Sequence, residues 1–254
     1  MTLILLVPGD FVEDGGIRLA GRRARHVNEV HRARVGETLV VGLVNGRVGK
    51  GTVLFVGPDE VRLSVELNEE PPPAVGVDLL LAMPRPKVFR RVLQSAASLG
   101  SRRIALVGAQ RVEKSYFDTP FLEPAEIERN LVLGLEQARD TVLPEVVVRR
   151  RLRPFVEDEL ETLWPSKGCV RLLAHPAAER GLAACGAAAA SSPALLAVGP
   201  EGGWVASELE LLVARGFVPF GLGPRVLRVE TAVPFAFGQV RLLRETSSAA
   251  PDRG

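Results

Sequence analysis

Two glycine-rich segments in the C-terminal third carry the residue types and spacings best suited to chemistry. The first is Val198-Gly199-Pro200-Glu201-Gly202-Gly203-Trp204, which follows an apolar run and precedes a helical pattern. Glycines at such a junction let backbone N–H and C=O groups approach a ligand closely. Glu201 sets a carboxylate near a helix N-terminus, where the helix dipole favours it. A plain tight strand-to-helix turn with an acid at its end fits the same residues. The second segment is Leu222-Gly223-Pro224-Arg225-Val226-Leu227-Arg228-Val229-Glu230-Thr231-Ala232, an irregular loop that runs into a helix and carries two arginines. A loop followed by an N-capped helix accounts for it equally.

Other familiar site chemistries are absent. Gly49-Lys50 is followed by Gly51 instead of Ser or Thr, and Val44 stands where a phosphate-binding loop needs its first glycine. Gly221-Leu222-Gly223 opens a dinucleotide-type pattern, but Val226 occupies its third glycine position and the segment comes late in its domain. His26, His31 and His175 have no cysteine or carboxylate partners at metal-ligand spacing, so no metal site is expected. No Gly-x-Ser-x-Gly elbow occurs.

The elements that must position these segments fall into two groups. Over the first 70 or so residues the pattern is β-rich: Leu3–Val7, Glu37–Val44 ending in the hairpin signal Asn45-Gly46, Arg47–Val56, and Val61–Leu67 with strict apolar/polar alternation. One helix, roughly Ala20–His31, interrupts them, which together predicts a small β-barrel carrying a helix. Pro71-Pro72-Pro73 cannot continue a strand and favours a stiff spacer. The chain is therefore divided into residues 1–70, a linker at 71–76, a second domain at 77–246 and a frayed tail at 247–254.

In the second domain, strands expected at Val77–Ala82, Ile104–Val107, Val146–Val148, Leu172–Ala174, Leu195–Val198 and Pro219–Leu222 alternate with helices. The helices are expected at Val88–Leu99, Pro124–Arg139, Pro154–Leu163, Val205–Arg215 and Thr231–Leu243. That alternation predicts an α/β fold with a parallel sheet.

Formal net charge is only +2, from 32 Lys+Arg and 30 Asp+Glu, which excludes a uniformly basic coat but not a local basic patch. The two cysteines, Cys169 and Cys185, are too far apart for a CxxC pair and fit a reducing compartment. No signal-peptide pattern is visible, and the most apolar region, Leu182–Val198, is broken by Ser191, Ser192 and Pro193. A cytoplasmic protein is expected.

Taken as a pair, the two glycine-rich segments resemble those of the SPOUT methyltransferases, and more narrowly the ribosomal RNA small-subunit methyltransferase E family. Further matching pieces occur in order: His26-Val27-Asn28-Glu29-Val30-His31-Arg32 with Gly36-Glu37; Pro84, Leu99 and Gly100; and Glu136-Gln137-Ala138-Arg139 with Pro144-Glu145-Val146. The sequence departs from the family pattern at Arg85-Pro86, where Lys-Gly is usual, and at Ser95, Ala97 and Ser98, where a Lys and a Thr-Glu pair are usual.

The resemblance implies an N-terminal PUA-like RNA-binding barrel and a C-terminal SPOUT domain whose chain end threads a deep trefoil knot. It implies a homodimer that uses S-adenosyl-L-methionine to methylate N3 of a uridine in small-subunit ribosomal RNA. Two rivals stay open: another RNA target on the same fold, and a non-catalytic RNA-binding paralogue.

Under this resemblance the cofactor pocket is expected from Ala174, His175, Val198, Gly199, Pro200, Glu201, Gly202, Leu222, Gly223, Val226, Leu227 and Arg228. Arg228 is the expected catalytic cation, the alternative being a structural pairing with Glu230 or with a C-terminal carbonyl. Glu201 is expected to hold cofactor or orient RNA, or else to cap its helix. RNA contacts are expected from Arg22, Arg25, His26 and Arg32, in the densest positive stretch of the chain, and from Arg139 at a helix end. A solvated basic helix is the lesser alternative for the stretch. Arg149-Arg150-Arg151, a second basic run, is read as a solvated face.

Overall fold

A computed structural model describes residues 2–13, 15–186, 190 and 193–248. The chain divides into two compact units. One comprises Met1–Pro73 with Leu131–Leu143, and the other Ala74–Asn130 with Pro144–Gly254.

The first unit is built on a five-stranded curled sheet of β1 (Ile4–Leu6), β2 (Ile17–Ala20), β3 (Thr38–Leu43), β4 (Val48–Val56) and β5 (Glu60–Glu69), in the order β1-β3-β4-β5-β2. β1 runs parallel to β3 and the remaining pairs are antiparallel. The hairpin expected at Asn45-Gly46 joins β3 to β4, and Asn45 takes the positive φ of 55° that such a turn requires. Along β5 the alternation follows the sequence: Val61 and Leu63 are buried while Arg62 and Ser64 face solvent. β2 was not expected. Its four residues are too short to register as a period, yet Ile17 and Leu19 enter the core with Ile4, Leu6, Val41, Val53 and Leu63.

Helix α1 (Gly21–Arg25) continues into a π-helical turn over His26–His31 and stops at Arg32, whose φ is 51°. Ala24 and Val27 seat it on the sheet. Residues 131–143 belong to this unit too: Asn45 N–H donates to the Thr141 carbonyl at 2.8 Å, and Leu143 N–H donates to Asn45 Oδ1 at 2.9 Å.

The second unit holds a six-stranded sheet of β6 (Val77–Ala82), β7 (Arg103–Val107), β8 (Glu145–Arg149), β9 (Val170–Ala174), β10 (Ala194–Val198) and β11 (Phe217–Phe220). Its order is β11-β9-β10-β6-β7-β8, and every neighbouring pair is parallel. Central strands buried on both faces read as continuous apolar runs, as Leu79–Ala82 and Ala194–Val198 do.

The helices are α2 (Pro86–Ser98), α3 (Pro124–Ala138), α4, α5 (Ala206–Ala214) and α6 (Val229–Ser248). α4 is composite: Leu152–Pro154, a π-helical Phe155–Glu159, then Leu160–Leu163. Pro86 starts α2 two residues before the expected Val88, because a proline at the first helical position loses no hydrogen bond. Leu152, Phe155, Val156, Leu160 and Leu212 cover one side of the sheet with Trp164 and Trp204. α2 packs on α6.

α6 continues through Ser248, so the expected tail begins inside a helix, and its residues 249–254 lie outside the described residues. Among the described residues, no helix is long and apolar enough to cross a membrane.

Candidate functional site

In an open parallel sheet, ligands sit beyond the carboxyl ends of the strands. Here Ala174, Val198 and Phe220 end β9, β10 and β11 at one level, since Val198 pairs with Ala174 and Ala174 pairs with Phe220. The two glycine-rich segments leave from β10 and β11, so both open on this edge. They enclose a cavity of about 250 Å³.

Ala174, His175, Val198, Gly199, Pro200, Glu201, Gly202, Leu222, Gly223, Val226 and Leu227 all line it. The structure therefore gathers residues that are up to 53 positions apart in the chain (174 to 227) around one space. Arg228, expected in the same pocket, is not a lining residue. It is exposed between two that are, Leu227 and Val229. Its carbonyl accepts the N–H groups of Thr231 and Ala232, which starts α6. Its guanidinium makes no hydrogen bond or ion pair with any described residue, so the alternative pairing with Glu230 is not formed.

Local forces fix the walls. Glu201 Oε1 accepts a hydrogen bond from the Arg85 backbone N–H at 3.1 Å, which ties the glycine turn to the entrance of α2. Arg111 Nη1 donates to the Gly202 carbonyl at 2.5 Å from the other side. Glu208 caps α5 by accepting from Val205 N–H at 3.0 Å, so Glu201 is not needed for that role. A Cβ on Gly199 would stand 3.0 Å from Trp204 Nε1, so the glycine lets the indole lie against the turn. Gly223 has φ +102°, a region closed to most side chains. His175 Nδ1 accepts from Ala177 N–H at 3.2 Å, and the His175 backbone N–H donates to the Phe220 carbonyl at 3.0 Å, so the residue serves as wall and turn.

These residues fit a nucleoside-like cofactor. The lining mixes apolar side chains (Val198, Leu222, Leu227, Ala232) with backbone groups of two glycine turns. Trp204 is buried to 4% exposure with its Nε1 unpaired among the described residues, a donor without a protein acceptor. Sequence reasoning missed Arg85, Arg111 and Trp204. Trp204 ends the quoted glycine segment and could have been read from it. Nothing in the sequence marks Arg111, because its partner is a main-chain oxygen 91 residues away.

The expected RNA-contact residues Arg22, Arg25, His26, Arg32 and Arg139 all belong to the first unit, Arg139 because residues 131–143 join it. Arg22 donates two bonds to Glu136, at 3.1 and 3.2 Å. Arg23 grips the buried Asp10 with both terminal nitrogens. Arg25 and Arg32 are exposed. His26 stacks edge-on against His31 with centroids 4.8 Å apart, and burial together with His26 pushes the His31 pKa below its usual value.

Residues 70–241 match the RNA methyltransferase domain family. The ribosomal RNA small subunit methyltransferase E of Treponema pallidum is 32% identical over 90% of this chain and 86% of its own length. That of Mycobacterium bovis is 30% identical over 96% and 93%. Among solved structures, a ribosomal RNA small subunit methyltransferase E from Neisseria gonorrhoeae bound to S-adenosyl methionine shares the fold at TM-score 0.76, with 21% identity over 96% of this chain and 98% of that one. The chain belongs to the RNA methyltransferase family, as a member of its ribosomal RNA small subunit methyltransferase E group.

Proposed function

We propose that this protein transfers a methyl group from S-adenosylmethionine to N3 of a uridine in small-subunit ribosomal RNA. The observation that carries the reading is the convergence of both glycine-rich segments on one cavity at the ends of β9, β10 and β11. The names of the relatives in Treponema and Mycobacterium support the substrate class.

S-adenosylmethionine supplies a methyl group on a sulfonium, which leaves as a neutral thioether. The backbones of Gly199, Gly202, Leu222, Gly223 and Leu227 hold it, with Ala174, His175, Val198, Pro200 and Val226 as walls. The chain's own work is orientation and electrostatics. The imide N3 of uridine is a poor nucleophile until its proton passes to solvent water, and N3 lies on the pairing edge, so the base must be out of its stack. Arg228, exposed between the lining residues Leu227 and Val229 and without a partner among the described residues, is assigned the cation that offsets the charge of the imide anion. Glu201, fixed by Arg85 N–H, orients the substrate at the cavity mouth. Holding donor and acceptor in line supplies much of the remaining acceleration.

The first unit serves as a PUA-like barrel that docks RNA through Arg25, His26, Arg32 and Arg139, while Arg22, already paired with Glu136, holds the helix that presents them. In the second, the chain end forms a deep trefoil knot around the cofactor. Support for the knot is the likeness of the two glycine-rich segments to those of the SPOUT methyltransferases. The protein acts in the cytoplasm as a homodimer. Phe235 (46% exposed) and Leu242 (61%) on α6 line an apolar groove suited to a second copy.

The test is transfer of labelled methyl from S-adenosylmethionine to small subunits lacking their native uridine-N3 methyl, with the product nucleotide mapped by mass spectrometry. Label at N3 of one uridine supports the reading. Label on a different base or RNA replaces the target. No cofactor binding and no label identify a non-catalytic paralogue.

A further inference from the structure

The same edge of the six-stranded sheet carries a second cavity, of about 290 Å³, on its β7–β8 side. Gly108, Ala109 and Gln110 after β7 form one wall, Arg150, Arg151 and Arg153 after β8 another, and Ser207 and Glu208 of α5 a third. The methyl-transfer chemistry makes no use of it.

The chain turns sharply after β8 against a glycine, which sets Arg150, Arg151 and Arg153 along one wall. Gly108 N–H donates to the Arg149 carbonyl at 2.9 Å, and a Cβ on Gly108 would stand 2.2 Å from the Arg150 carbonyl oxygen. Arg151 is exposed and makes no hydrogen bond or ion pair with any described residue. Arg150 pairs with Asp118 at 2.8 Å, both side chains being over 60% exposed, and Arg153 pairs with Glu157 along α4. Exposed pairs of this kind are worth about 0–1 kcal/mol, but Arg150 also donates to the Phe117 carbonyl at 3.2 Å, so Arg151 is the guanidinium left to meet a phosphate. Glu208 is the one carboxylate among the lining residues, and its oxygens already accept the N–H groups of Val205 and Gln110.

The cavity is one loop away from the cofactor cavity. α5, which supplies Ser207 and Glu208, starts directly after the Gly199–Trp204 turn, and Arg111, next to Gln110, donates to Gly202 of that turn. An anion held at Arg151 therefore has a fixed place relative to the transfer site.

We propose that this cavity binds a backbone phosphate of the RNA substrate, giving the catalytic unit its own docking point for the strand that carries the target base. The proposal rests on the RNA methyltransferase reading above. A phosphodiester presents two free oxygens and one negative charge, which a guanidinium fork and the Ser207 hydroxyl recognise without regard to sequence. Its role is to set register.

Arg151→Glu, Arg151→Lys and the Arg150→Gln/Arg151→Gln double variant are compared with the full wild-type chain. The probe is a labelled small-subunit ribosomal RNA fragment spanning the target uridine, titrated at several salt concentrations. In Arg151→Glu, affinity is expected to fall at least about tenfold, and the salt slope to become shallower by about 0.7–0.9 per lost contact. Arg151→Lys retains most of the affinity. S-adenosylmethionine affinity and thermal midpoint stay unchanged, and in turnover the KM for RNA rises while kcat holds.

Wild-type binding with an unchanged Kd and salt slope in Arg151→Glu overturns this proposal alone. Millimolar inorganic phosphate bound at Arg151 with no change in RNA affinity on mutation also overturns it, leaving a free-anion site. If the wild-type chain itself neither binds nor methylates the RNA, the functional reading falls first and the docking site with it.

Discussion

In the basic segment of the first unit and at the strand ends of the second, arginines saturated by carboxylates stand next to arginines left over. In the segment that the sequence marks as most basic, Arg22 is committed to Glu136 and Arg23 to Asp10, whose side chain is only 6% exposed, while Arg25 and Arg32 are exposed with no partner among the described residues. In the second unit, Arg228 and Arg151 stand exposed with no partner among the described residues. A count of cations along a sequence thus measures charge, not available charge. Guanidiniums already saturated by carboxylates hold a fold together, and those left over are free to meet an anion.

Four substitutions, one of them followed across pH, probe that contrast and the cavity beside it. The largest effect is expected at the cavity itself. Gly223→Val forces a β-branched residue into φ +102°, at about 1–3 kcal/mol of backbone strain, and calorimetry should show cofactor binding lost while the circular dichroism of the sheet persists. Next comes Arg23→Met, which leaves Asp10 buried without its cation. Denaturant unfolding should register a loss of about 3 kcal/mol, and a loss below 1 kcal/mol would put Arg23 among the available charges instead.

Acid should act on the second unit through Glu161. Bonds from Ser166 and from Arg171, itself buried, hold its pKa at about 2 against 4.5 unfolded. Because the folded value is depressed, this stabilisation is present above 4.5 and is lost as pH falls toward 2. Glu161→Gln should flatten stability against pH across that window, and an unaltered curve would show that the contact contributes nothing. The smallest effect is expected for Arg22→Met, under about 1 kcal/mol, since its guanidinium is half exposed.

Much of this was legible from sequence wherever a local pattern had a local cause. The alternation of Val61–Leu67 gave β5, Asn45-Gly46 gave the hairpin, and the apolar runs gave the parallel strands. The glycine segments announced a cavity because close backbone approach needs glycine whatever the fold. What stayed hidden depends on partners distant in sequence. β2 is ordered by pairing with β5, residues 131–143 join the first unit through Asn45 and Thr141, and Arg111 reaches a carbonyl on another loop. The availability of a cation is hidden for the same reason: Glu136 lies 114 residues from Arg22.

The most direct test of the account compares Arg228→Ala with Arg22→Ala in single-turnover methyl transfer from S-adenosylmethionine to unmethylated small subunits, alongside cofactor titration of both. The account predicts that Arg228→Ala binds cofactor with near wild-type affinity yet transfers about 100- to 1,000-fold more slowly, while Arg22→Ala keeps its transfer rate. Transfer by Arg228→Ala at the wild-type rate would contradict it, and the charge at the cavity mouth would then have no part in the chemistry.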